Sequence, residues 1–152
     1  MDRQAQFRAR EALIFETAER LLLENGEAGM TLDALAAELD LAKGTLYKHF
    51  QSKDELYMLL MIRNERMLFD MLSTPNRQFP EHLGYFMLHH LHHPERTVLF
   101  HHIEERLSIT GQGIQSLFGE LYHVRRQRLK IIIPMTEHYL QKIGSQMSGR
   151  DY

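Results

Sequence analysis

Residues 30–55 read MTLDALAAELDLAKGTLYKHFQSKDE, and the spacing of their apolar positions divides them into two short helices and the start of a third. Leu32, Leu35, Ala36 and Leu39 recur at i, i+3, i+4 and i+7, one stripe of a 3.6-residue helix, with Thr31 placed as its N-cap. Asp40-Leu41-Ala42 interrupts the pattern. From Lys43, the strongly apolar positions are Leu46 and Phe50 at i, i+4, so the second helix is expected to cover Lys43 to Phe50 and to leave Gly44 and Lys48 on an uncovered face. Thr45 and Tyr47 flank that face. It offers a backbone without a Cβ, a cation, a hydroxyl and a phenol, chemistry suited to phosphates and base edges. Two helices of about eight residues joined by a short turn form the helix-turn-helix pattern, whose second helix lies in the DNA major groove.

Continuing outward, LAKGTLYKHFQSKDEL at 41–56 closely resembles the TetR family of bacterial transcriptional regulators. That family's motif runs valine, serine, any residue, glycine, threonine, leucine, tyrosine, two residues often ending in histidine, phenylalanine, then serine, lysine, two acids and leucine. The resemblance covers roughly the first third of the chain. Two departures stand out. Ala42 replaces the capping serine, at a cost of about 1 kcal/mol. Asp40 replaces the turn glycine, which it can do in a left-handed conformation while adding a negative charge near the DNA face.

The resemblance implies an all-α fold: a three-helix helix-turn-helix DNA-binding domain over residues 1–51, then a helical effector-binding and dimerisation domain over 52–152, with a connector helix at about 53–72. It implies a homodimer on a palindromic double-stranded operator, a repressor released by a small-molecule effector, and neither cofactor nor enzymatic activity. Lys43, Gly44, Thr45, Tyr47 and Lys48 become DNA-binding candidates, and Thr31, His49 and Lys53 are expected to act mainly on phosphates. The family's last two helices pair in a four-helix dimer interface; here residues 144–152 read like the linker before them, so those two helices are expected to be absent. Either the chain is a fragment, in which case Leu121, Ile132 and Leu140 form an exposed apolar patch, or a different apolar helix face does the pairing; the dimer interface is expected to be drawn from the long helix and its neighbours and to be weaker than usual.

Upstream, Phe7, Ile14, Ala18, Leu21 and Leu22 predict a helix over 4–25 that Gly26 ends, with Arg3, Arg8 and Arg10 near its start. Downstream, Ser52 to Glu55 is a capping box that opens the connector helix. Helical patterning resumes from Pro80 to His93, and Pro94 opens a helix carrying Val98, Leu99, Ile103 and Leu107. After the Thr110-Gly111-Gln112-Gly113 loop, a long helix runs from about Ile114 to Ile143, with a kink expected at Pro134. No strand pattern occurs.

Composition limits the alternatives. The chain has 152 residues, 43% hydrophobic and 25% charged, and no cysteine, which excludes disulfides and thiolate chemistry. Neither a signal peptide nor a membrane span is expected, which points to the cytoplasm. Residues 1–55 carry 7 Lys/Arg against 11 Asp/Glu, weakly against a DNA binder, yet Lys43, Lys48 and Lys53 cluster at the motif. Local field outweighs net charge here.

Ten histidines are unusual. His89 and His93 stand i, i+4, and His101 or His102 with Glu104 or Glu105 is placed to join them around zinc or nickel, which supports an alternative reading as a metal-binding or metal-responsive protein. Adjacent histidines point to different faces and no cysteine helps, so a solvated bend without metal is the expectation. Met67, Phe86, Met87, Phe100, Ile103, Leu107, Phe118 and Tyr122 read two ways: as core or, with the resemblance, as the lining of a pocket for an apolar or aromatic effector. Arg125, Arg126, Arg128 and Lys130 are expected to spread around the long helix in solvent. Neither a Gly-x-Ser-x-Gly motif nor a phosphate loop is present.

Overall fold

A computed structural model describes residues 2–73 and 92–144. Within them lie six helices and no strand: α1 (Arg3–Gly29), α2 (Leu32–Glu38), α3 (Lys43–Leu46), α4 (Lys53–Ser73), α5 (Pro94–Thr110) and α6 (Gln115–Lys142). The described residues fall into two compact units, one of 2–60 with 99–114, the other of 61–73, 92–98 and 115–144.

In the first unit, Asp2 caps α1 by accepting the Ala5 N–H (2.6 Å), which moves the helix start ahead of the expected residue 4. Gly26 leaves helical geometry as expected (φ 71°, ψ −178°), but the helix does not stop there. One more turn follows, closed by the Met30 N–H on the Gly26 carbonyl (3.1 Å) and held by the fully buried Met30. Ile14, Ala18, Leu21 and Leu22 are buried, whereas Phe7 at the helix start is 40% exposed.

Helix α2 begins as its sequence dictates, with the Thr31 hydroxyl accepting from the Ala34 N–H (3.0 Å). It ends in a Schellman arrangement: Leu41 N–H to the Ala36 carbonyl (2.9 Å) and Asp40 N–H to the Ala37 carbonyl (3.2 Å). Asp40 takes the left-handed position this requires (φ 51°).

Helix α3 is shorter than expected. Only Lys43–Leu46 is α-helical, and i→i+3 bonds from Lys48 to Thr45 and from His49 to Leu46 tighten the next residues into turns. The local causes are visible: Ala42 provides no side-chain cap, Gly44 weakens the helix by about 1 kcal/mol, and buried Phe50 draws the end inward. Packing holds the element in place. Leu46 is fully buried, contributing about 1.5–3 kcal/mol against the ~1 kcal/mol of the missing cap.

At the start of α4, the Ser52 hydroxyl accepts from the Glu55 N–H (3.1 Å) as the capping box requires. The Glu55 carboxylate, however, accepts from the Gln51 N–H (2.7 Å), one residue before the expected partner. The α5 segment of this unit buries Phe100, Ile103 and Leu107 at i, i+3, i+7. Val98, expected on that stripe, is 69% exposed.

The second unit corrects two expectations. Leu121 is fully buried, Leu140 is buried and Ile132 half-buried, so they do not form an exposed patch. These positions lie with Thr136 on one stripe of α6 that faces inward. Arg125 and Arg128 share it and do not spread into solvent: their Nε atoms donate to the two oxygens of buried Glu65 on α4, at 3.0 and 2.9 Å. Arg126 and Lys130 are exposed. Arg66 on α4 also pairs with Glu120 on α6. Pro134 is accommodated inside α6.

Candidate nucleic-acid interface

The first unit places the eight DNA-binding candidates in three different settings. Gly44, Tyr47 and Lys48 are exposed and Thr45 is half-buried, an outward surface on the α3 segment, with Leu46 and Phe50 anchoring it from beneath. Tyr47 is 50% exposed despite its size. A Cβ built on Gly44 would meet nothing within 4 Å, so packing inside the chain does not require a glycine there. A bare backbone on an outward face leaves room for a close approach from outside.

Lys43 and Thr31 also face outward, but both have internal work. The Lys43 ammonium is 2.6 Å from the Asp33 carboxylate of α2, whose hydrogen bond raises the lysine's pKa. Thr31 accepts at the α2 cap, and its hydroxyl proton remains able to donate.

His49 and Lys53 turn inward. The His49 side chain is 1% exposed; its ring stacks on Phe7 (centroids 4.1 Å apart, 22° between planes), and Nδ1 lies 3.2 Å from a Glu11 carboxylate oxygen. Lys53 donates to the Glu27 carbonyl (2.7 Å), its ammonium 5.6 Å from the Tyr57 ring centre. Burial lowers its pKa, opposed by the Glu27 charge. Arg106 of α5 completes this corner, 2.6 Å from Glu27 and 3.7 Å from Asp54. Tyr57 is buried beside it, and desolvation raises its pKa.

Sequence reasoning missed Phe7, Glu11, Asp33 and Glu27 as partners of these residues. Phe7 and Glu11 do stand i, i+4, which puts them on one face of α1, but nothing local says that the face meets His49.

The expected effector-pocket residues are divided. Phe100, Ile103 and Leu107 belong to the core of the first unit, while Met67, Phe118 and Tyr122 belong to the second, where Tyr122 is 47% exposed and lies near the Phe118 ring (5.9 Å). Phe86 and Met87 lie outside the described residues, as does His89 of the expected metal cluster. Among the described residues, which include His93 and His101, no group of three or more His, Asp or Glu side chains is placed to hold a metal. No described helix is long and apolar enough to cross a membrane.

Residues 14–58, from α1 into α4, match the pattern of the bacterial regulatory proteins, tetR family. Over these residues the chain is similar to the TetR family. Three curated relatives, one from Mycobacterium bovis and two from Mycobacterium tuberculosis, are described as HTH-type transcriptional regulators; each is 40% identical over 52 residues. That match covers 34% of this chain and 22% of each relative. The TetR-family region thus takes in α2, α3 and the connector's first turn. Phe7 and Glu11, which enclose His49, lie ahead of it.

Proposed function

We propose that this chain is a TetR-family, sequence-specific DNA-binding transcriptional regulator, a cytoplasmic repressor without enzymatic activity. Residues 1–51 form the DNA-binding head, and 52–152 the effector-binding and dimerisation region, joined through the connector at about 53–72. The chain acts as a homodimer on a palindromic operator whose half-sites lie about 34–36 Å apart, one turn of DNA. An apolar or aromatic small molecule releases it.

The observation that carries this reading is the outward surface of the α3 segment, where exposed Gly44, Tyr47 and Lys48 stand over the buried anchors Leu46 and Phe50. A polar, cationic face of this kind suits a groove. Gly44, Thr45, Tyr47 and Lys48 contact the DNA directly, Thr31 reaches a phosphate, and Lys43, His49 and Lys53 support the face from behind. Because Leu99–Ile114 shares a compact unit with the head, the Arg106 contacts to Glu27 and Asp54 give an effector a route to it.

The test is titration of the purified protein against a duplex selected by it from random-sequence DNA. Lys48→Ala is expected to weaken binding by roughly 1–3 kcal/mol if the ammonium reads a base, or to flatten the salt dependence if it meets a phosphate. Unchanged affinity and salt slope for both Lys48→Ala and Tyr47→Ala would overturn the assignment.

A further inference from the structure

The recognition segment is short, four α-helical residues followed by turns, so its own hydrogen bonds do little to fix the direction of Tyr47 and Lys48. Leu46 and Phe50 anchor it from below. His49, next to Lys48, is held from the side: Phe7 stacks on the ring and the Glu11 carboxylate meets Nδ1, both from one face of α1. We propose that His49 is a positioning residue for DNA recognition, clamped by Phe7 and Glu11, and that this clamp sets where Lys48 and Tyr47 point. The proposal rests on the DNA-binding reading above.

Geometry separates this role from a direct phosphate contact. With 1% of its side chain exposed, His49 would have to leave both Phe7 and Glu11 to reach a phosphate. The clamp also makes a carboxylate favourable to DNA binding, against simple electrostatics. A bystander carboxylate near the DNA repels phosphates, so neutralising it tightens binding; a carboxylate that holds the recognition segment in place does the reverse.

The experiment compares Glu11→Gln, Phe7→Ala and Phe7→Tyr with wild type on the selected duplex, at several salt concentrations. Phe7 and Glu11 are each at least one-third exposed, so these variants are expected to fold, which their melting temperatures verify. Glu11→Gln and Phe7→Ala are expected to weaken binding about threefold to tenfold, the scale of one aromatic or charged contact. Their salt slopes should match wild type, because no phosphate contact is lost. Phe7→Tyr keeps the stacked ring and is expected to restore wild-type affinity. In the free protein, the His49 ring protons should show an upfield ring-current shift that Phe7→Ala abolishes.

Tighter or unchanged binding by Glu11→Gln, unchanged binding by Phe7→Ala, or absence of the ring-current shift overturns the clamp alone. A wild-type protein that enriches no sequence from random DNA overturns the DNA-binding reading, and this proposal with it.

Discussion

Glu65 offers the sharpest test of the packing. Its side chain is 9% exposed and each carboxylate oxygen takes one guanidinium Nε–H, from Arg125 at 3.0 Å and from Arg128 at 2.9 Å. A hydrogen bond to a charged group contributes about 1.5–3 kcal/mol net. The Arg128 side chain is only 14% exposed and sits within that range, while Arg125, at 31%, is discounted for solvent screening. Glu65→Ala therefore loses about 3 kcal/mol, the low end for breaking a buried pair, because two guanidinium groups are left facing the vacated site. For a chain of this size that corresponds to a fall in melting temperature of roughly 6–12 °C. Urea and thermal denaturation followed by circular dichroism would measure it. The pair must also couple: Glu65→Ala with Arg128→Ala should cost about 1–2 kcal/mol less than the sum of the single changes. A loss under about 0.5 kcal/mol for Glu65→Ala, the size of an ordinary surface change, would refute the reasoning. So would strict additivity.

Tyr57 is buried, and its hydroxyl has no hydrogen-bond partner among the described residues, so Tyr57→Phe is expected to melt at or above wild type; a loss above about 1 kcal/mol would contradict this. Its raised pKa adds a pH test: the folded state keeps the phenol proton that the unfolded chain releases above about pH 10, so this contribution is present below pH 10 and lost as pH rises towards the folded pKa. Tyr57→Phe should flatten that alkaline loss in denaturation measured across pH. Gly44→Ala has room for its methyl, so it should stabilise the chain by about 0.5–1 kcal/mol while weakening binding to the selected duplex; a gain in both would remove the backbone-approach argument. Gly26 holds a φ of 71° with extended ψ, a region nearly confined to glycine, and Gly26→Ala should cost about 1–3 kcal/mol in thermal unfolding despite open space around it.

Several helix starts were legible in the sequence where a capping side chain or a proline marks them. Thr31 and Ser52 cap as their side chains require, Pro94 opens α5, and the stretch from Leu41 to Leu56 carries the family resemblance in its side-chain order. With Leu46 and Phe50 on the buried side, one helical period turns Gly44, Tyr47 and Lys48 outward. Even the odd Asp40 was readable, because a turn that normally uses glycine demands a left-handed residue and aspartate tolerates it.

What failed was every judgement that depended on a partner far along the chain. Periodicity tells which face of a helix is buried but not which residue meets it, so nothing near His49 announced Phe7 and Glu11, dozens of residues earlier. For the same reason Arg125 and Arg128 read as a solvated run until Glu65 was seen between them. Leu121 and Leu140 read as exposed because burial was inferred from an expected interface, when the inner stripe of α6 already claimed them. Sequence by itself determined the caps at Thr31 and Ser52, the opening of α5 at Pro94 and the family resemblance of the head, since these rest on interactions within a turn or two. Tertiary structure alone decided which charges and rings are spent inside the protein and which remain on its surface, because that depends on long-range pairs whose energy exceeds any local preference.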